Sequence, residues 1–153
     1  MKVRDIMSKD PQVCSPETNL ATAAAMMLEA DCGILPVVAG GTLVGTVTDR
    51  DMFIALATRD RCASQLTVGE VAQSPVHTCS PDDDVQAALA TMKAHAVRRL
   101  PVEGFGHTVL GVVSLNDIVM ASGSRKSIRP PEIVDALRAI CGRHHPVPHV
   151  TPG

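Results

Sequence analysis

Aromatic side chains are almost absent: the 153 residues include Phe53 and Phe105 but no Trp or Tyr. That removes a stacking platform for single-stranded bases. It also requires a core of Val, Leu, Ile, Met and Ala. Charge of one sign is lacking as well. The formal net charge is -2, so there is no basic field to draw in DNA or RNA. No apolar run approaches the roughly 20 residues that span a bilayer. The opening Met1-Lys2-Val3-Arg4-Asp5 carries no signal-peptide hydrophobic region. Cys14, Cys32, Cys62, Cys79 and Cys141 are odd in number and form no Cys-x-x-Cys pair. A reducing cytosol suits them better than a disulfide framework. No Cys-His or Ser-His pair stands in a recognisable setting, and no Gly-x-x-x-x-Gly-Lys loop occurs. A cytoplasmic protein that catalyses nothing, touches no nucleic acid and enters no membrane is the expectation.

What is present is an apolar content of 45%, enough for a packed core, and one internal duplication. Cys14-Ser15-Pro16 returns as Cys79-Ser80-Pro81, and Leu35-Pro36-Val37 as Leu100-Pro101-Val102, both at an offset of 65 (79 − 14 and 100 − 35). Leu43-Val44-Gly45 returns as Val109-Leu110-Gly111 at 66 (111 − 45), and the lead-in Val3-Arg4-Asp5-Ile6 matches Val68-Gly69-Glu70-Val71. Two copies are too few for a solenoid and suggest halves related by a pseudo-twofold axis.

Each half predicts strand, helix, strand, strand, helix. Ser15 and Ser80 suit helix N-caps, with Pro16 and Pro81 at the first helical position. Leu20, Ala23, Ala24, Met27 and Leu28 fall at helical spacing, as do Val85, Ala88, Leu89 and Met92. Ile34–Val38 and Leu100–Glu103 read as strands, Gly40-Gly41 and Gly104-Phe105-Gly106 as turns, and Leu43–Val47 and Val109–Val113 as returning strands. A last helix starts near Thr48 or Ser114. A half of about 60 residues buries too little sheet alone. Packing the two sheets together is the expected remedy, and it leaves clefts for small ligands.

Two segments carry the chemistry: Gly45-Thr46-Val47-Thr48-Asp49-Arg50-Asp51 and Gly111-Val112-Val113-Ser114-Leu115-Asn116-Asp117. A strand ending where a helix begins presents free N–H groups and a positive dipole end, which is an anion site. A hydroxyl there bonds phosphate or ribose, and a carboxylate one turn later accepts ribose hydroxyls. The same Ser/Thr-x-x-Asp is also a capping box that needs no ligand. A cap alone leaves the repeated surroundings unexplained.

With these residues the chain, over roughly residues 2 to 123, closely resembles the cystathionine-beta-synthase (CBS) domain family. The resemblance rests on Ile34-Leu35-Pro36-Val37-Val38 with Leu43 to Asp51, and on Arg98-Arg99-Leu100-Pro101-Val102 with Leu110 to Asp117. It implies an α/β (α+β) fold of two β-α-β-β-α repeats, at 1–64 and 65–123, and a regulatory module that binds AMP, ADP, ATP, NAD or S-adenosylmethionine. Thr48 with Asp51 and Ser114 with Asp117 then hold phosphate and ribose. Val13, Cys14, Ile34, Leu35 and Pro36, with His77, Thr78, Leu100 and Pro101, line the adenine. Arg98 and Arg99 stand where the first half has Gly33 and Ile34. In the family an arginine there often reaches the phosphates, which a guanidinium fork suits. Solvated or salt-bridged arginines are the alternative.

The resemblance further implies no required cofactor, an adenine nucleotide as regulatory ligand, a homodimer, and action in trans on an unidentified protein partner. A structural interaction scaffold with vestigial sites is the other reading. Residues 124–153 are expected to form a short helix and a loose end. Ile133, Leu137, Ile140 and Cys141 are expected on one helical face, with Gly142 as C-cap. Cys141, His144, His145 and His149 fit no closed zinc site well, so no metal is expected. Met26, Met27 and Met92 read as core fillers.

Overall fold

The computed structural model describes residues 1–122 and 128–142. The first half contains α1 (Leu20–Glu29), the hairpin β2 (Ile34–Ala39) and β3 (Thr42–Thr48), and α2 (Asp49–Thr58). The second contains α3 (Val85–His95), the hairpin β4 (Arg99–Glu103) and β5 (Val109–Ser114), and α4 (Leu115–Ala121). The short strand β1 (Ser8–Lys9) precedes α1, and α5 (Pro130–Gly142) lies outside the duplication. Gly40 (φ +58°) and Gly41 (φ +81°) supply the two left-handed residues that a two-residue hairpin turn needs between β2 and β3. Each hairpin carries a register shift at the same repeat position, Val37/Val38 and Val102/Glu103.

The expected leading strand of each half shrinks to a one-residue parallel bridge, Cys14 to Val37 and Cys79 to Val102. The Ser-Pro caps give way to turns. Ser15 N–H donates to Thr18 Oγ1 at 3.1 Å and Ser80 N–H to Asp83 Oδ2 at 2.8 Å. The helices start later, after Asn19, whose side chain accepts from the Thr22 amide at 2.8 Å, and after Asp84. A residue three positions on satisfies each serine amide locally, so the helix is not needed to do it. In α1, Leu20, Ala23 and Met27 are buried as expected, but Leu28 is 82% exposed because it lies round the helix from that stripe.

The apolar residues do not form one core between two sheets. They form two. Leu20, Leu35, Val37, Val47, Met52, Leu66, Val68 and Val71 pack together in one; Val3, Leu89, Met92, Leu100, Val102, Val113, Ile118 and Ile133 pack in the other. Val3 thus completes the second half, and Leu66, Val68 and Val71 complete the first. The lead-ins are exchanged, and the hydrogen bonds correspond pair by pair. Val3 N–H donates to the Asp83 carbonyl and Arg4 N–H to that of Pro81; Val68 N–H donates to the Thr18 carbonyl and Gly69 N–H to that of Pro16. Each lead-in then crosses the outer strand of the hairpin it joins. Ser8 pairs with Val112 in β5, and Gln73 bridges Thr46 in β3.

That crossing accounts for the glycine opening each motif. A Cβ at Gly111 would lie 2.6 Å from the Ser8 carbonyl oxygen, and one at Gly45 would lie 3.2 Å from that of Gln73. At Gly111 the backbone passes too close for a side chain, and at Gly45 the approach is tight.

α5 covers the second core through Ile133, Ala136 and Ile140. Leu137 and Cys141 point outward, unlike the face expected from sequence. The buried stripe runs at spacings of three and four through Ala136, whose small side chain lets α5 sit close to α3.

Candidate functional site

Each hairpin hands its outer strand directly to a helix, and the handover residue is the expected hydroxyl. Thr48 is the N-cap of α2 and Ser114 that of α4. Thr48 Oγ1 donates to Asp51 Oδ2 at 2.7 Å, the Thr48 amide donates to the same oxygen at 2.9 Å, and the Asp51 amide returns a bond to Thr48 Oγ1 at 3.2 Å. The second site repeats this: 2.6 Å from Ser114 Oγ, 2.7 Å from its amide, and 3.2 Å back from Asp117 N–H. Both capping boxes are therefore complete, and each consumes one carboxylate oxygen, Oδ2. The other oxygen, Oδ1, takes no part in the box. Asp51 and Asp117 are half-buried.

The first strand of each hairpin brings the next expected residues to the same end. Ile34 is the register partner of Thr48, and Arg99 that of Ser114. Arg99 is half-buried, and its guanidinium makes no hydrogen bond or ion pair among the described residues. Arg98 is exposed and donates to Cys141 Sγ at 3.6 Å. In the first half a carboxylate stands here instead. Asp49 Oδ2 lies where a Cβ on Gly33 would come within 2.8 Å.

Other anticipated residues lie farther into the protein. Leu35 and Leu100 are fully buried in the two cores, and the Pro36 and Pro101 carbonyls accept the Cys14 and Cys79 amides at 3.0 and 3.1 Å. Cys14 is buried, and burial pushes its thiol up to about 11. Val13 is 40% exposed. His77 stacks on His95 with ring centroids 3.5 Å apart, and Thr78 donates to Glu103 Oε2 at 3.1 Å. Open concavities lie elsewhere among the described residues. One of about 520 Å³ lies at the end of α2 against Arg59, Arg61, Cys62 and Gln65. One of about 350 Å³ lies against Thr78, Asp83, Glu103 and His107. Of the expected site residues, Thr78 alone lines either of them.

Sequence reasoning missed two residues at the caps: Asp49, beside Gly33, and Gln73, whose Nε2 donates to Asp51 Oδ1 at 3.4 Å. A polar residue in a lead-in gives no local signal of which hairpin it will cross. Among the described residues, no group of three His, Cys, Asp or Glu side chains is placed to hold a metal. His144, His145 and His149 lie outside the described residues. No helix among the described residues is long and apolar enough to cross a membrane.

Two exchanged α/β repeats, each ending a hairpin on a capped helix, define the class as a tandem-repeat pair. The model of the CBS domain matches residues 3–58 and 68–124, and the chain belongs to that family. It is 31% identical over 139 residues to hypoxic response protein 1 of Mycobacterium tuberculosis (strain ATCC 25618 / H37Rv), covering 90% of this chain and 92% of the relative. A crystal structure of hypoxic response protein I with two coordinated zinc ions aligns at TM-score 0.72 and 31% identity, over 79% of this chain and 98% of that one. The CBS domain pair of protein MJ0100, solved with 5′-methylthioadenosine and S-adenosyl-L-methionine, aligns at TM-score 0.74 and 28% identity, over 80% and 96%.

Proposed function

We propose that this chain is a non-catalytic regulatory module that binds an adenosyl ligand against its hairpin–helix junctions and signals in trans. The observation that carries this is Arg99, a half-buried guanidinium without a partner among the described residues, set across the strand pair from Ser114 at the N-terminus of α4. Helix N–H groups, a hydroxyl, the second carboxylate oxygen of Asp117 and a guanidinium without a described partner suit a ribose phosphate or another polar adenosine 5′-substituent. The MJ0100 pair, a structure of similar architecture, holds two adenosyl compounds. In this chain Arg99 favours the second half for an anionic group, whereas Asp49 disfavours the first.

Binding shifts the population toward whichever arrangement of the halves holds the ligand better, which changes the surface that a partner meets. A homodimer in the cytoplasm fits the exposed apolar pairs at repeat-equivalent positions, Phe53-Ile54 on α2 and Val119-Met120 on α4. Thermal unfolding with AMP, ADP, ATP, NAD and S-adenosylmethionine tests the reading on protein freed of carried-over ligand. A ligand at about 100 times its dissociation constant adds about 2.7 kcal/mol. A shift is expected for at least one compound, and Arg99→Ala should weaken it more than Arg50→Ala does. No shift with any of them leaves the capping boxes as plain caps and the chain as an interaction scaffold.

A further inference from the structure

We infer that Gln73 is a built-in competitor for the first adenosyl site, so that the two repeat-related sites bind with unequal affinity. The inference rests on the proposed adenosyl reading and assigns its regulation to one side chain. Both capping boxes engage Oδ2 of their aspartate, which leaves Oδ1 as the oxygen able to accept a ribose hydroxyl. At Asp51 that oxygen already accepts from Gln73 Nε2 at 3.4 Å. At Asp117 no described donor reaches it.

The difference follows from the exchanged lead-ins. Gln73 and Ser8 are repeat equivalents, 65 apart (73 − 8), and each crosses the outer strand of a hairpin at the matching place. Gln73 is held there by two backbone bonds, its amide to the Thr46 carbonyl at 2.8 Å and the Thr46 amide to its own carbonyl at 3.2 Å. From that anchor an amide side chain of three carbons spans the distance to Asp51. Ser8, anchored in the same way, is too short to reach Asp117. Gln73 also lies only a few residues before His77 and Thr78, the expected adenine-lining segment of the other half.

Isothermal titration with AMP and with S-adenosylmethionine tests this site by site. In an Asp117→Ala background only the first site remains, and Gln73→Ser should raise its affinity about three- to tenfold, the range for losing one competing hydrogen bond. The reciprocal change, Ser8→Gln in an Asp51→Ala background, should weaken the second site by a similar factor. A side chain that merely supports the fold would not give a gain on removal and a loss on transplantation. Binding to the unchanged chain with no effect of Gln73→Ser would overturn the competitor alone. No binding of either compound to the unchanged chain would overturn the adenosyl reading and this inference together.

Discussion

The Val3 amide donates to the Asp83 carbonyl at 3.0 Å, and the Val68 amide donates to the Thr18 carbonyl at 2.8 Å. These two bonds show that the lead-in of each repeat closes the other repeat. Val3 and Val68 are both fully buried, so the exchange is anchored by apolar packing as well as by backbone pairing.

Val3→Ala is therefore expected to destabilise the second repeat by about 1.5 kcal/mol, the transfer cost of two lost methyl-sized groups. Val134→Ala, at a 47% exposed position on α5, serves as a control and should stay within about 0.5 kcal/mol. Urea midpoints measure both. Equal effects would mean that the N-terminal segment lies on the surface in solution.

The glycines at the crossings are expected to rank by approach distance. Gly111→Ala places a Cβ 2.6 Å from a backbone oxygen, so backbone must move. A loss of about 1–3 kcal/mol follows. Gly45→Ala meets its nearest atom at 3.2 Å and should cost less. The reverse order in thermal melts would contradict the crossing geometry.

Both capping boxes are complete without a ligand. Thr48→Ala and Ser114→Ala should each cost about 1 kcal/mol of stability in ligand-free protein. If the adenosyl reading holds, Ser114→Ala should also shrink the ligand-induced thermal shift. Stability loss without any change in that shift would assign Ser114 to capping only.

The hairpins, their glycine turn and both N-caps were legible because each depends on neighbours in sequence. Thr48 and Ser114 fall at the junctions expected from the motif. The exchange was not legible. Val3 and Val68 carry the same pattern whether each packs on its own repeat or on the other, since the two cores are equivalent. Leu28 and Leu137 were misplaced for a different reason: apolar character at helical spacing marks a stripe, but tertiary packing decides how wide it is. Gln73 escaped notice because its partner, Asp51, lies on another element that only the crossing brings near.

Glu70 fastens the lead-in of the second repeat, the one that closes the first core. It accepts the Thr67 amide at 2.8 Å and the Arg61 guanidinium at 2.7 Å, and these bonds draw its carboxyl from 4.5 down to about 2. Because the folded-state value is depressed, this contribution is fully present above about pH 4.5 and is lost as the pH falls through about 2. Glu70→Gln should flatten the stability curve across that window, as measured by urea unfolding at stepped pH. Curves of unchanged shape would remove Glu70 from the acid response.

Four of the five thiols should separate by access. Cys62 and Cys141 are exposed, whereas Cys14 and Cys79 are buried, with their thiols pushed by burial up to about 11 and about 12. An aromatic disulfide reagent at about pH 8 should label Cys62 and Cys141 quickly, and Cys14 and Cys79 only after unfolding. Fast labelling of Cys79 would show that the second core opens readily.

Synthesis from the N-terminus gives the exchange a temporal meaning. The first core needs residues up to about Val71 and can close while the rest of the chain is still being made. The second core needs Val3 together with Ile133 and Ile140. The Val3 segment, made before either core is complete, is thus among the last to find its place, held in waiting by a neighbour that has already folded.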